Sequence, residues 1–135
     1  MASQPPQNLP LFYKNLQPLS SSLHRDFRAR ASDTAPYFAN AHAIPLTIDE
    51  FIHAQRFMPI VFSSGESAVP LALTGLNEGV NVFVDEEGRP LQPFYIPAYV
   101  RRYPYVLARL DPNAQELSLC FDPSSGLVGL FEDGA

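Results

Sequence analysis

At 135 residues, with 46% hydrophobic and 17% charged residues, the chain has the length for one packed domain and is too apolar to be a disordered tail. Its net charge of -5, and a stretch after Leu110 that holds Asp111, Glu116, Asp122, Glu132 and Asp133 with no Lys or Arg, disfavour nucleic acid as a partner. Cys120 is the single cysteine, so no intrachain disulfide is possible and nothing points to an oxidising compartment.

Residues 1–10 are polar and carry Pro5, Pro6 and Pro10, which predicts a disordered arm ahead of a single domain over residues 11–135. That arm lacks the basic and apolar regions of an export signal, and no apolar run in the chain is long enough for a membrane span. The expectation is a cytoplasmic protein with no membrane insertion. Basic residues gather in HRDFRAR (His24 to Arg30) and at Arg101-Arg102, and neither cluster makes a long basic stripe. Residues 11–46 show no sustained period of either kind and read as an irregular wrap with at most a short strand.

The first clear element begins at Thr47. Glu50 stands three residues on, the reciprocal capping pattern that satisfies orphan amides at a helix start. Pro59 cannot continue a helix, which predicts one over Ile48 to Phe57 with Ile48, Phe51 and Ile52 on its apolar face. From Pro59 on, short apolar runs alternate with turn signals as in a β-meander: PIVFS before SGES, VPLALTGL before NEG, and VNVFV before DEEG. RPLQPFY, with Pro90 and Pro93, reads as an edge or an irregular crossover. YVLARL, the DPNA turn and QELSLCF predict a hairpin, and LVGLF a last strand. The fold class expected is α+β, a β-rich antiparallel meander with two short helices on the sheet.

The second helix lies in YIPAYVRRYPYVL, residues 95–107. Pro97 suits the first helical position and Pro104 ends the helix, so AYVRRY makes one to two turns. Tyr99 and Tyr103 fall on one face, with Ile96 and Val100 beside it and Arg101 pointing away. An amphipathic stripe is ordinarily a packing face, which makes the tyrosines core and Arg101 solvated. Tyr and Arg are also enriched at interface hot spots, so a recognition patch is the alternative.

Chemistry is sparse. His24, His42 and His53 are scattered, with no HxxxH or CxxC pair, so no metal site and no cofactor is expected. The HRD at residues 24–26 lacks the companions of a kinase loop, and the two SSG turns lack the elbow that exposes a serine nucleophile. Asp85, Glu86 and Glu87 are read as a solvated turn, and Cys120, between Leu119 and Phe121, as a packed thiol. No catalytic residue is assigned.

Several blocks together resemble the SapC family of bacterial proteins, named for a surface-array gene cluster: LPLFYKNLQPLSSSLH, IPLTIDEF, RFMPIVFSS, VPLALTGLNEGVNVFVDEEGRP, YIPAYVRRYPYVLARL and LCFDPSSG. They cover most of the chain in the family's order. Two departures accompany them: RARASDTAPYFAN is longer and more polar than the family pattern, and the chain stops at LFEDGA where members usually continue into a helical part, as a shortened or truncated member would. The resemblance implies association with surface-layer protein export or assembly and with outer-membrane uptake, and it implies no reaction. The function expected is a non-catalytic accessory protein that binds another protein through Tyr95, Tyr99, Arg101, Arg102 and Tyr103. The alternative is a subunit that binds a small molecule or peptide, or acts on one as an enzyme, in a tyrosine-rich pocket.

Overall fold

The computed structural model describes residues 9–134. The predicted arm over residues 1–10 falls almost wholly outside them. In chain order the elements are β1 (Gln17–Pro18), β2 (Arg28–Ala29), β3 (Ala43–Pro45), a 3-10 turn (Ile48–Glu50) running into α1 (Phe51–Ala54), β4 (Ile60–Phe62), β5 (Pro70–Leu73), α2 (Ala98–Arg101), β6 (Tyr105–Ala108), β7 (Ser118–Phe121), a second 3-10 turn (Pro123–Ser125) and β8 (Val128–Gly129). The α+β expectation holds, and every named strand pair is antiparallel. The strands form three small sheets where one meander was expected: β1-β7-β6, β2-β8 and β3-β5-β4. Among the described residues no helix is long and apolar enough to cross a membrane.

The chain gathers into two compact units. One comprises the chain up to Ala31 together with everything from Tyr103 onward, and the other is Ser32–Arg102.

In the first unit, the predicted hairpin forms with Tyr105 opposite Phe121 and Val106 opposite Cys120. Its turn is fastened at Asp111, whose backbone carbonyl accepts from the Ala114 amide (2.9 Å) and whose Oδ1 accepts from the Asn113 amide (3.0 Å). Gln17 and Pro18 add β1 to the far side of β7, and Arg28 and Ala29 pair with β8. Residues 11–46 therefore supply three strands, counting β3 in the other unit, where at most one was expected. Each is two or three residues long and pairs with a partner remote in sequence, so no local periodicity could announce it. Tyr13, Val106 and Cys120 form the buried cluster, and burial pushes the Cys120 thiol pKa up, as suits packing more than nucleophilic chemistry.

In the second unit, Leu46, Ala54, Met58 and Ala72 make the core, with Phe51, Ile60, Phe83, Phe94 and Tyr95 packed around it. The Thr47–Glu50 capping box forms, yet the α-helix after it stops at Ala54, and single turns carry the chain on to Met58. Pro59 lies just beyond. The predicted apolar face is corrected at two of its three positions: Ile48 is 76% and Ile52 65% exposed, while Phe51 packs on the core and Glu50 and Ala54 are buried. The element is too short to offer a full helical stripe, and the position facing the core is taken by a carboxylate with partners. Ile48→Ser and Ile52→Ser should each change stability by no more than about 0.5 kcal/mol in chemical denaturation. A cost of about 2 kcal/mol or more would restore the predicted face.

VNVFV does not become a strand beyond an isolated bridge between Val84 and Pro90. The cause is Asn81, which is buried and bends the chain with its amide: Nδ2 donates to the Phe38 carbonyl (3.0 Å) and Oδ1 accepts from the Phe83 amide (3.0 Å). Gly75, just upstream, meets the backbone so closely that an added Cβ would lie 1.8 Å from the Val80 carbonyl oxygen. In the DEEG turn, Asp85 Oδ1 accepts from the Glu87 (2.9 Å) and Arg89 (2.8 Å) amides, so that carboxylate serves the turn itself.

Candidate functional site

Glu50 organises the face of the second unit that carries Tyr95 and Arg101, two of the residues singled out in the sequence. Its side chain is only 7% exposed. Oε2 accepts from the Thr47 amide (2.9 Å) and hydroxyl (3.1 Å), while Oε1 accepts from the Tyr95 hydroxyl (2.7 Å) and the Ala98 amide (2.7 Å). One carboxylate thus caps the start of its own helical turn with one oxygen and the start of α2 with the other, placing negative charge where orphan amides need an acceptor. Burial pushes the Glu50 carboxyl pKa up, but the hydrogen bonds it accepts, led by the one from Ala98, overcome that and hold it below the usual carboxylate range. With both oxygens occupied, Glu50 is a structural acceptor and not a free base.

Tyr95 is the link from this buried anion to the surface. Burial and the neighbouring Glu50 charge raise the pKa of its phenol, and Arg101 offsets only part of that rise. Arg101 folds back over Tyr95: its guanidinium carbon is 5.7 Å from the ring centroid, Nη2 donates to the Tyr95 hydroxyl (3.3 Å) and Nε to the Ile96 carbonyl (3.0 Å). The predicted picture of Arg101 pointing into water is refined accordingly, for the residue is exposed but tethered. His53 stacks against the same ring at 5.7 Å between centroids and 27° between planes. Beside this stack an open cleft of about 270 Å³ is lined by His53, Arg56, Phe57, Pro93, Phe94 and Tyr95, with no acidic side chain among them.

The other sequence-predicted site residues fall elsewhere. Arg102 lies over the Tyr99 ring, 4.2 Å from its centroid, a second Arg–Tyr pair at α2 and its C-terminal edge. Tyr103 belongs to the first unit, where it packs on Tyr13 at 5.2 Å and on Phe12 at 6.4 Å. α2 ends at Arg101, so Tyr99 lies within the helix and Tyr103 beyond it. The residue that α2 buries is Val100, with Pro97 sealed at its start. Among the described residues, no three His, Cys, Asp or Glu side chains converge as a metal site would require.

The SapC family model matches residues 19–135, most of the chain. The chain belongs to the SapC family. The matched segment of this SapC-family chain includes Glu50, Tyr95, Arg101 and the whole second unit, and it leaves out β1 and Tyr13. No curated protein and no solved structure matches the chain. Sequence reading missed His53, Arg56 and Phe57 as neighbours of Tyr95, and took Glu50 for a cap of one helix only. The available signal was the capping box itself, since it sets one carboxylate oxygen toward Thr47 and leaves the other to find donors elsewhere.

Proposed function

We propose that this SapC-family chain is a non-catalytic accessory protein that binds another protein through the Tyr95–Arg101 face of its second unit, with Tyr99 and Arg102 as a further contact pair. The observation that carries the reading is the tethered yet exposed arginine: Arg101 is held by the Tyr95 hydroxyl and the Ile96 carbonyl. A guanidinium fixed in advance loses less side-chain entropy on binding, and a Tyr–Arg pair beside an apolar cleft has the composition of an interface hot spot. The Arg56 flank of the cleft and the Arg101 guanidinium beside it favour a partner segment that presents carboxylates next to an apolar or aromatic side chain. The surface-layer export and outer-membrane uptake settings implied by the family are where such a partner is sought, with the cytoplasm as the compartment.

Affinity purification with wild-type and Arg101→Ala baits from the native host tests this. A protein retained by the wild type should fall by about tenfold with the variant, the loss expected of a hot-spot arginine. Arg101→Ala itself should change stability by only about 0.5 kcal/mol, because its contacts are exposed. By contrast, Tyr103→Ala should cost roughly 2 kcal/mol through lost packing on Tyr13 and Phe12. Identical retention by both baits would contradict the assignment of this face.

A further inference from the structure

The first unit holds a second cleft, of about 310 Å³, at the small end of the range for ligand pockets of about 300–1,000 Å³. Its walls are apolar at Leu19, Phe27 and Val128, and its polar residues are Ser20, Ser21, His24, Arg28 and Tyr105. No acidic side chain lines it.

His24 decides what the cleft is suited to hold. The residue is only 8% exposed and is wedged edge-on against Phe27 and Phe121, at 4.7 and 5.1 Å between centroids. Its Nδ1 accepts from the Ser20 amide at 2.9 Å, which places the proton of the neutral ring on Nε2. Among the described residues Nε2 has no hydrogen-bond partner, and no buried side-chain nitrogen or oxygen is sealed from solvent without one. The Nε2–H donor therefore opens to solvent, and His24 is among the residues that line the cleft. Arg28, at the exposed rim, spends one N–H on the Glu132 carbonyl (2.8 Å) and keeps its charge and its remaining donors.

We propose that this cleft binds a small organic monocarboxylate with an apolar or aromatic body. The carboxylate sits between His24 Nε2–H and the Arg28 guanidinium, and the body lies against Leu19, Phe27 and Val128. A single arginine and a neutral imidazole match one negative charge, whereas a phosphate dianion would call for more positive charge than the cleft offers. The apolar walls supply the rest of the affinity. The site lies wholly within the first unit and is independent of the Tyr95–Arg101 face.

The test is an NMR titration of the isotope-labelled full chain with 3-phenylpropionate, its amide and inorganic phosphate. Saturable shifts are expected at the His24 ring and the Ser20 amide with the carboxylate, and binding of the amide should be weaker by about tenfold, the loss of one charge-assisted contact. Arg28→Gln, on an exposed side chain, should lower carboxylate affinity by about tenfold and narrow the gap between acid and amide. Absence of a saturable shift up to the solubility limit, equal binding of acid and amide, or phosphate binding as tight as the acid would each overturn the proposal.

Discussion

Asp122→Ala is expected to lower the unfolding free energy by roughly 3 kcal/mol or more, among the largest effects of any single polar substitution in this chain. Asp122 is completely buried. Its Oδ2 accepts from the Lys14 amide (2.8 Å), and its Oδ1 from the Ser124 amide (2.9 Å) and hydroxyl (2.5 Å). One side chain thereby fastens the start of the first unit to the turn after β7, across more than a hundred residues of sequence. Hydrogen bonds to a charged group are worth about 1.5–3 kcal/mol each, and alanine removes several while leaving backbone donors to find water. Asp122→Asn should cost about half as much, since its Oδ1 still serves Ser124 while its NH2 meets the Lys14 amide as donor against donor.

The same residue gives a pH signature. Burial pushes the Asp122 carboxyl pKa up, but its hydrogen bonds, led by the Ser124 hydroxyl, bring it below the usual range. A carboxyl whose folded pKa lies below its unfolded value stabilises the fold above the unfolded value of about 4, and that stabilisation is lost as pH falls through the folded pKa. Unfolding free energy should therefore decline below about pH 4 in the wild type and more shallowly in Asp122→Asn, as followed by urea denaturation across pH. Equal slopes would contradict the role given to Asp122.

Glu50→Ala is the second large effect, expected at roughly 3 kcal/mol, because it strands the amides of Thr47 and Ala98 and the Tyr95 hydroxyl together. Its neighbour Asp49 is an equally acidic residue in the same first turn but is exposed, and Asp49→Ala should cost only about 0.5 kcal/mol, the scale of a surface charge near a helix start. The contrast separates a buried double cap from a general helix-dipole contribution. Similar losses in the two variants would mean that Glu50 acts only as first-turn charge.

What could be read from the sequence depended on how local the signal was. The Asp111 hairpin and the Thr47–Glu50 cap rest on residues two or three apart, and both form where turn and capping chemistry put them. The α+β class and the antiparallel pairing followed from short apolar runs between turn residues. The strands β1, β2 and β3 were hidden because their partners lie far along the chain and their own length is too short for a period to show. VNVFV misled because apolar alternation cannot reveal that Asn81 spends its amide on the backbone. At the candidate site, Tyr95 and Arg101 were singled out from residue type alone. Their joining by Glu50, and the stack of His53 on Tyr95, needed the approach of two segments some 45 residues apart.

The central claim is that the buried Glu50 carboxylate seats Tyr95, and through it Arg101, as one built surface. A double-mutant cycle on unfolding free energy with Glu50→Gln and Tyr95→Phe measures this directly. The two residues touch through a 2.7 Å hydrogen bond, so the double variant should be less destabilised than the sum of the singles by about 1–2 kcal/mol. Additivity within about 0.3 kcal/mol would show that Glu50 and Tyr95 act independently and would contradict the account.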